Sequence, residues 1–181
     1  MIDEPVFAAP PVRGTGVFAW YTRFCVLLSR VSLALAVVML LCIVLCVQWQ
    51  VIGRYVFNDS PTWTETLALL LVLYLTSLAV AVGVRDAGHI GLESLATLLP
   101  ERFQRWLALV VHALVAVFGF MMAQSGWLWA TLKWNEKKPM FPVSEGADYV
   151  PLVIAGVLIV IFCIEHIIAL LRGHAVESAW N

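Results

Sequence analysis

Residues 31–53 read VSLALAVVMLLCIVLCVQWQVIG, with Arg30 before them, Arg54 after them and no charge between. A helix needs about 20 predominantly apolar residues to cross the hydrocarbon core of a bilayer, and this run supplies them. It exceeds the roughly 7–15 residue apolar core of a signal peptide, and Gln48, Trp49 and Gln50 stand near its end in place of a small-residue cleavage site. The run is expected to stay in the membrane as a helix.

The same test gives three more crossings. Thr66 to Val84 lies between Glu65 and Arg85, Trp106 to Leu132 between Arg105 and Lys133, and Tyr149 to Leu171 between Asp148 and Arg172. Glu165 and His166 interrupt the last of these. Composition agrees: 62% of the 181 residues are hydrophobic, 13% are charged and the mean hydropathy is +0.91, values that suit a lipid solvent better than an aqueous one. The expected fold is all-α, an integral membrane protein with four transmembrane helices plus a short amphipathic interfacial helix between the second and third. Its domains would be a cytoplasmic or interfacial N-terminal segment (1–30), a four-helix membrane domain (31–172, spans about 31–53, 66–84, 106–132 and 149–171) and a cytoplasmic tail (173–181). No soluble catalytic domain is expected.

A net charge of −1 provides no basic field for nucleic acid. Cys25, Cys42, Cys46 and Cys163 lie in or beside apolar runs without metal-ligand spacing and read as packing residues. Lys and Arg near the spans fall unequally. Arg13, Arg23, Arg30, Arg85, Arg102, Arg105 and Arg172 gather on one side, and Arg54, Lys133, Lys137 and Lys138 on the other. Cytoplasmic loops carry the excess, so both termini are expected in the cytoplasm. Trp49, Trp63, Trp127, Trp129, Trp134 and Tyr149 then form an aromatic belt at the opposite interface. Val17 to Leu28 mixes aromatics with Arg23 and suits either the headgroup level or a frayed end.

Three connections join the spans. In the first, Thr62 and Glu65 have capping-box spacing, so Glu65 reads either as a helix cap or as a partner contact. In the second, Leu92, Leu95, Ala96 and Leu99 recur at helical spacing against Glu93, Ser94 and Thr97 until Pro100 stops the pattern, which predicts the interfacial helix at about 90–99. The third, Lys133 to Asp148, is polar and interrupted by Pro139 and Pro142, and is expected to be irregular.

Ionisable residues inside a span are functional candidates, here His112, Glu165 and His166. His112 is about 10 Å past Arg105 and His166 about 9 Å before Arg172, so the third and fourth helices would hold them at one level. One reading pairs His112 with Glu165 as an interhelical clamp. A second has His112 and His166 ligate haem, making a membrane cytochrome-type redox subunit. A third is a proton relay through Glu165, for which the other spans offer no chain of acids or histidines. No span shows the glycine- or proline-broken core with which secondary transporters bind substrate, and no nucleophile-and-base pair, phosphate loop or metal cluster appears. Catalytic and metal-ligating residues are therefore expected to be absent.

Arg54-Tyr55-Val56-Phe57-Asn58 leading into Pro61, Trp63 and Glu65, with Arg85 before Gly88-His89-Ile90 and the amphipathic segment, resembles the small membrane subunit of tripartite ATP-independent periplasmic (TRAP) transporters, the DctQ-like family. The resemblance runs from about Arg30 to Arg172; Thr66 departs from it, standing where many members carry a second acid. It implies a small scaffold subunit without cofactor. Its partners would be a large membrane subunit that carries the sodium and substrate sites, and a periplasmic substrate-binding protein that delivers an organic anion, often a carboxylate. On this resemblance Arg54, Trp63, Glu65, Arg85 and His89 are candidates for contact with a partner or membrane lipid.

Overall fold

The computed structural model describes residues 17–58, 61–86, 101–138 and 142–172. Four helices account for most of them: α1 (Val17–Val56), α2 (Thr62–Asp86), α3 (Glu101–Leu132) and α4 (Val150–Arg172). All four are long and apolar enough to cross a membrane. In hydrocarbon every backbone N–H and C=O must be satisfied within the chain, which a helix does within its own turns. The interfacial helix expected at 90–99, the segments 1–16 and 173–181, and His89 lie outside the described residues.

α1 has 40 residues, about 60 Å of helix, and runs unbroken from the segment before the first apolar stretch through that stretch. α4 has 23 residues, about 35 Å, close to the ~30 Å hydrocarbon thickness. Asn58 ends α1. Its φ of 52° places it in the left-handed region that asparagine tolerates, and the preceding Phe57 N–H donates to the Gly53 carbonyl at 3.2 Å.

α1 packs on α2, α2 on α4, and α4 on α3. On α1 the buried positions Thr22, Cys25, Ser29, Ser32 and Ala36 alternate in steps of three and four, a seam of small side chains against which a second helix can lie closely. The bulky residues of α1 point away: Leu35, Leu41 and Leu45 are all exposed, as a lipid-facing surface requires. Cys25, Leu78, Ala81, Leu158, Phe162 and Cys163 form the shared core of α1, α2 and α4. α3 meets α4 at glycines. A Cβ on Gly156 would stand 2.5 Å from the Gly119 carbonyl and 2.6 Å from the Ala123 nitrogen, so the two backbones touch where neither carries a side chain.

In its described residues, 133–138 and 142–149, the connection from α3 to α4 is more regular than the irregular loop expected from its prolines. Lys137 and Ser144 form an antiparallel bridge, and a 3-10 turn, Glu145–Asp148, leads into α4. The Ser144 hydroxyl lies 2.6 Å from the Trp134 carbonyl and accepts from Gly146 N–H at 3.0 Å, while Gly146 N–H also reaches the Lys133 carbonyl at 3.1 Å. These bonds satisfy carbonyls left open just past the end of α3, and that gain orders the loop.

Candidate functional site

Arg85 closes α2 and is 2% exposed; Glu165 of α4 is fully buried beside it. The guanidinium Nε donates to Glu165 Oε2 at 3.0 Å and Nη2 to Oε1 at 3.3 Å, a two-point pairing that fixes the relative rotation of the helices. Nη1 donates to Asp86 Oδ1 at 2.6 Å, and the Ser29 hydroxyl of α1 donates to Asp86 Oδ2 at 3.0 Å. The guanidinium carbon also stands 5.9 Å from the centre of the Phe162 ring. One cation and two carboxylates thus tie α1, α2 and α4 together in a dry interior, where removing either member of a pair is far costlier than making it is favourable.

His166 supports the same corner from α4. The Arg85 carbonyl is among the last carbonyls of α2, which lack partners inside the helix, and His166 Nε2 donates to it at 2.9 Å. A carbonyl only accepts, so Nε2 carries the proton. His112 Nδ1 likewise donates to the Ala108 carbonyl of its own helix at 2.7 Å. The two imidazole rings lie 4.7 Å apart, centre to centre, tilted by 32°. Tyr21 of α1 adds a further tie, its hydroxyl donating to the Ile161 carbonyl at 2.9 Å.

These placements correct two expectations. One of the three readings paired Glu165 with His112, but both of its oxygens are held by Arg85, a partner from α2 that the matching depths of α3 and α4 did not reveal. Arg85 was expected to contact a partner or lipid; instead it is enclosed, because α4 offers it a carboxylate at the right height. The His112 and His166 rings face each other directly, and nothing in this geometry supports the haem reading. Asp86, Ser29 and Tyr21 were not singled out from the sequence. The signal available for Ser29 was its place on the three-four seam of α1.

The other candidates stand at the opposite end of the bundle. Arg54 and Glu65 are exposed and Trp63 is 42% exposed. Thr62 is the first residue of α2 and not its cap; the hydroxyl that bonds across this turn is that of Thr64, donating to the Pro61 carbonyl at 2.6 Å. Nearby, the α3–α4 connection is laced by ion pairs of Lys133 with Glu136 (2.6 Å) and Glu145 (3.1 Å), and of Lys138 with Asp148 (2.7 Å). The hydrogen bonds that the Lys133 ammonium donates to Glu136 and Glu145 hold it above its ordinary pKa, and Lys133 holds the Glu136 carboxyl below its own.

Residues 43–173 match the family described as tripartite ATP-independent periplasmic transporters, DctQ component. A putative TRAP transporter small permease protein of Haemophilus influenzae is 24% identical over 66% of this chain and 74% of its own length. The sialic acid TRAP transporter small permease protein SiaQ of Vibrio cholerae is 32% identical over 38% of this chain and 39% of its own length. The sialic acid TRAP transporter permease protein SiaT of Haemophilus influenzae is 34% identical over 42% of this chain, but the match spans only 12% of that much longer protein. With four membrane-length helices and a family match that extends over most of them, the chain belongs to the DctQ-component family of TRAP transporters.

Proposed function

We propose that this chain is the small, non-transporting scaffold subunit of a sodium-coupled TRAP transporter that imports an organic anion, with a large membrane subunit moving against it and a periplasmic binding protein delivering the substrate. The observation that carries this reading is that the charged groups set inside the bundle, Arg85, Asp86 and Glu165, are bound to one another. None of the three is left to hold a solute. α1 to α4 also run unbroken, whereas transporter binding sites are built from interrupted helices. A cross-tied block with a broad apolar exterior is what a moving neighbour needs to push against. The SiaT match supports a large permease as partner, because it places a related segment inside a far longer permease chain. The names of SiaQ and of the C4-dicarboxylate TRAP transporter small permease protein DctQ of Vibrio cholerae, 28% identical over 43% of this chain and 34% of its own length, both denote carboxylate-bearing anions and support that substrate class.

The arginine excess at the Arg85 end supports a bacterial inner-membrane protein with both termini cytoplasmic. On that orientation Arg54, Trp63 and Glu65 face the periplasm and are contact residues for partner or headgroup, and the 90–99 segment with His89 lies along the cytoplasmic interface. In liposomes the chain alone is expected to give no uptake, and uptake is expected to appear with a large subunit, a binding protein and a sodium gradient. Trp63→Ala is expected to lower co-purification of the large subunit. Uptake by the chain alone would overturn the scaffold reading.

A further inference from the structure

α3 packs on α4 through Gly119 and Gly126, where an added Cβ would meet Ile159 and Val153 at 2.8 and 3.0 Å. On the opposite side of α3, Val117, Phe120, Met121, Trp127 and Leu128 are 55–66% exposed. Gln124 stands at the centre of that face, three, four or seven residues from each of the five, and is exposed, as is Ser125 beside it. Among the described residues neither the Gln124 amide nor the Ser125 hydroxyl has a hydrogen-bond partner.

Depth makes that placement costly. Trp129 and Tyr149 stack at 6.0 Å in the aromatic belt expected at this interface. Gln124 lies five residues from Trp129, about 7.5 Å further toward the middle of the span, and nine residues, about 13.5 Å, from Lys133. Side chains of a helix lean toward its N-terminus, so Gln124 leans away from the nearer surface and cannot snorkel out to it. An open amide donor and acceptor there would face lipid tails, which satisfy neither. Gln48 of α1 is exposed as well, but Trp49 adjoins it and Arg54 follows six residues on, which puts it at headgroup level.

We propose that this face of α3, centred on Gln124, is where the chain docks on the large membrane subunit, against a transmembrane helix that offers Gln124 a hydrogen-bonding side chain at the same depth. The inference rests on the scaffold reading for the identity of the partner and adds the surface that meets it. Polar side chains bond across helices in membranes, and a partner helix supplies what lipid lacks. The SiaT match favours a permease over a second copy of this chain, because the related segment there is part of a far longer permease.

The test uses the full chain in its native membrane with its partners. A benzophenone-bearing residue placed at Met121 or Leu128 and irradiated is expected to form an adduct with the large subunit, identified by mass spectrometry. An adduct with lipid alone, or with a second copy of this chain, would overturn the proposal. Gln124→Leu is expected to lower co-purification of the large subunit about fivefold, equivalent to ~1 kcal/mol. The same variant is expected to leave the melting temperature of the isolated chain unchanged, because Gln124 has no bond among the described residues to lose. Undiminished co-purification, or a loss that tracks a fall in melting temperature, would also overturn it. The two readings fail separately. A large subunit that co-purifies but is captured only from Leu41 or Leu45 of α1 sinks the α3 face and keeps the scaffold, whereas a chain that co-purifies with no large subunit sinks the scaffold reading itself.

Discussion

Replacing Glu165 by Ala leaves the Arg85 guanidinium enclosed with its Nε and Nη2 donors facing an apolar space. Breaking one side of a buried ion pair typically costs about 3–5 kcal/mol, because the surviving charge keeps its desolvation cost and loses its compensation. Asp86 remains 2.6 Å from Nη1, so the lower end of that range, ~3 kcal/mol, applies here. For a chain of this size that corresponds to a fall of about 6–12 °C in the melting temperature of the detergent-solubilised protein. Arg85→Met combined with Glu165→Leu and Asp86→Asn removes all three charges and substitutes apolar volume for the pair, and is expected to recover more than half of the loss. Hydrogen exchange should show the Glu165→Ala damage concentrated in the last turn of α2 and the facing turns of α4, where Arg85 and His166 meet. A Glu165→Ala protein that melts within ~0.5 kcal/mol of the parent, or a combined substitution no better than the single one, would refute the reasoning that the pair acts as a clamp.

Two further outcomes follow from the same geometry. Gly156→Ala drives a methyl group into the backbone of α3 and is expected to cost about 2–3 kcal/mol, whereas Gly83→Ala, which meets nothing within 4 Å on α2, is expected to gain about 0.5–1 kcal/mol from helix propensity; thermal melts of the two variants check both signs. The pairing of Lys133 with Glu136 is pH-dependent at both ends. The lowered Glu136 carboxyl contributes stability that is present above its ordinary pKa and lost as pH falls through the lowered one. The raised Lys133 ammonium contributes stability that is present below its ordinary pKa and lost as pH rises through the raised one. Amide exchange at Glu145 and Gly146, which donate to the Glu136 and Lys133 carbonyls, should stay slow in the neutral range and quicken in strong acid and strong base.

The four crossings were legible in the sequence because lipid makes a one-dimensional demand. A helix in hydrocarbon must be apolar over about 20 residues whatever it packs against, so charge-free runs mark it without knowledge of the partner. The resemblance was legible for a related reason: Arg54 to Asn58, Trp63, Glu65 and Arg85 sit at helix ends, where order and spacing survive in the linear chain. The ordered turn at Ser144 was not legible, since it depends on carbonyls at Lys133 and Trp134 that only a folded-back chain brings within reach.

What tertiary structure alone decided is which polar groups meet. By sequence, Arg85 was the boundary of a span and Glu165 an interruption in another, 80 residues away along the chain. Hydropathy treats both as costs, and only the packing of α2 on α4 turns them into a pair that neutralises itself. Depth along each helix could be counted from the flanking arginines, which put His112 and His166 at one level, but rotation about each helix axis could not. Rotation is set by where small residues such as Gly119, Gly156 and Ser29 let backbones approach, and that choice gave Glu165 to Arg85 and left the two histidines facing each other.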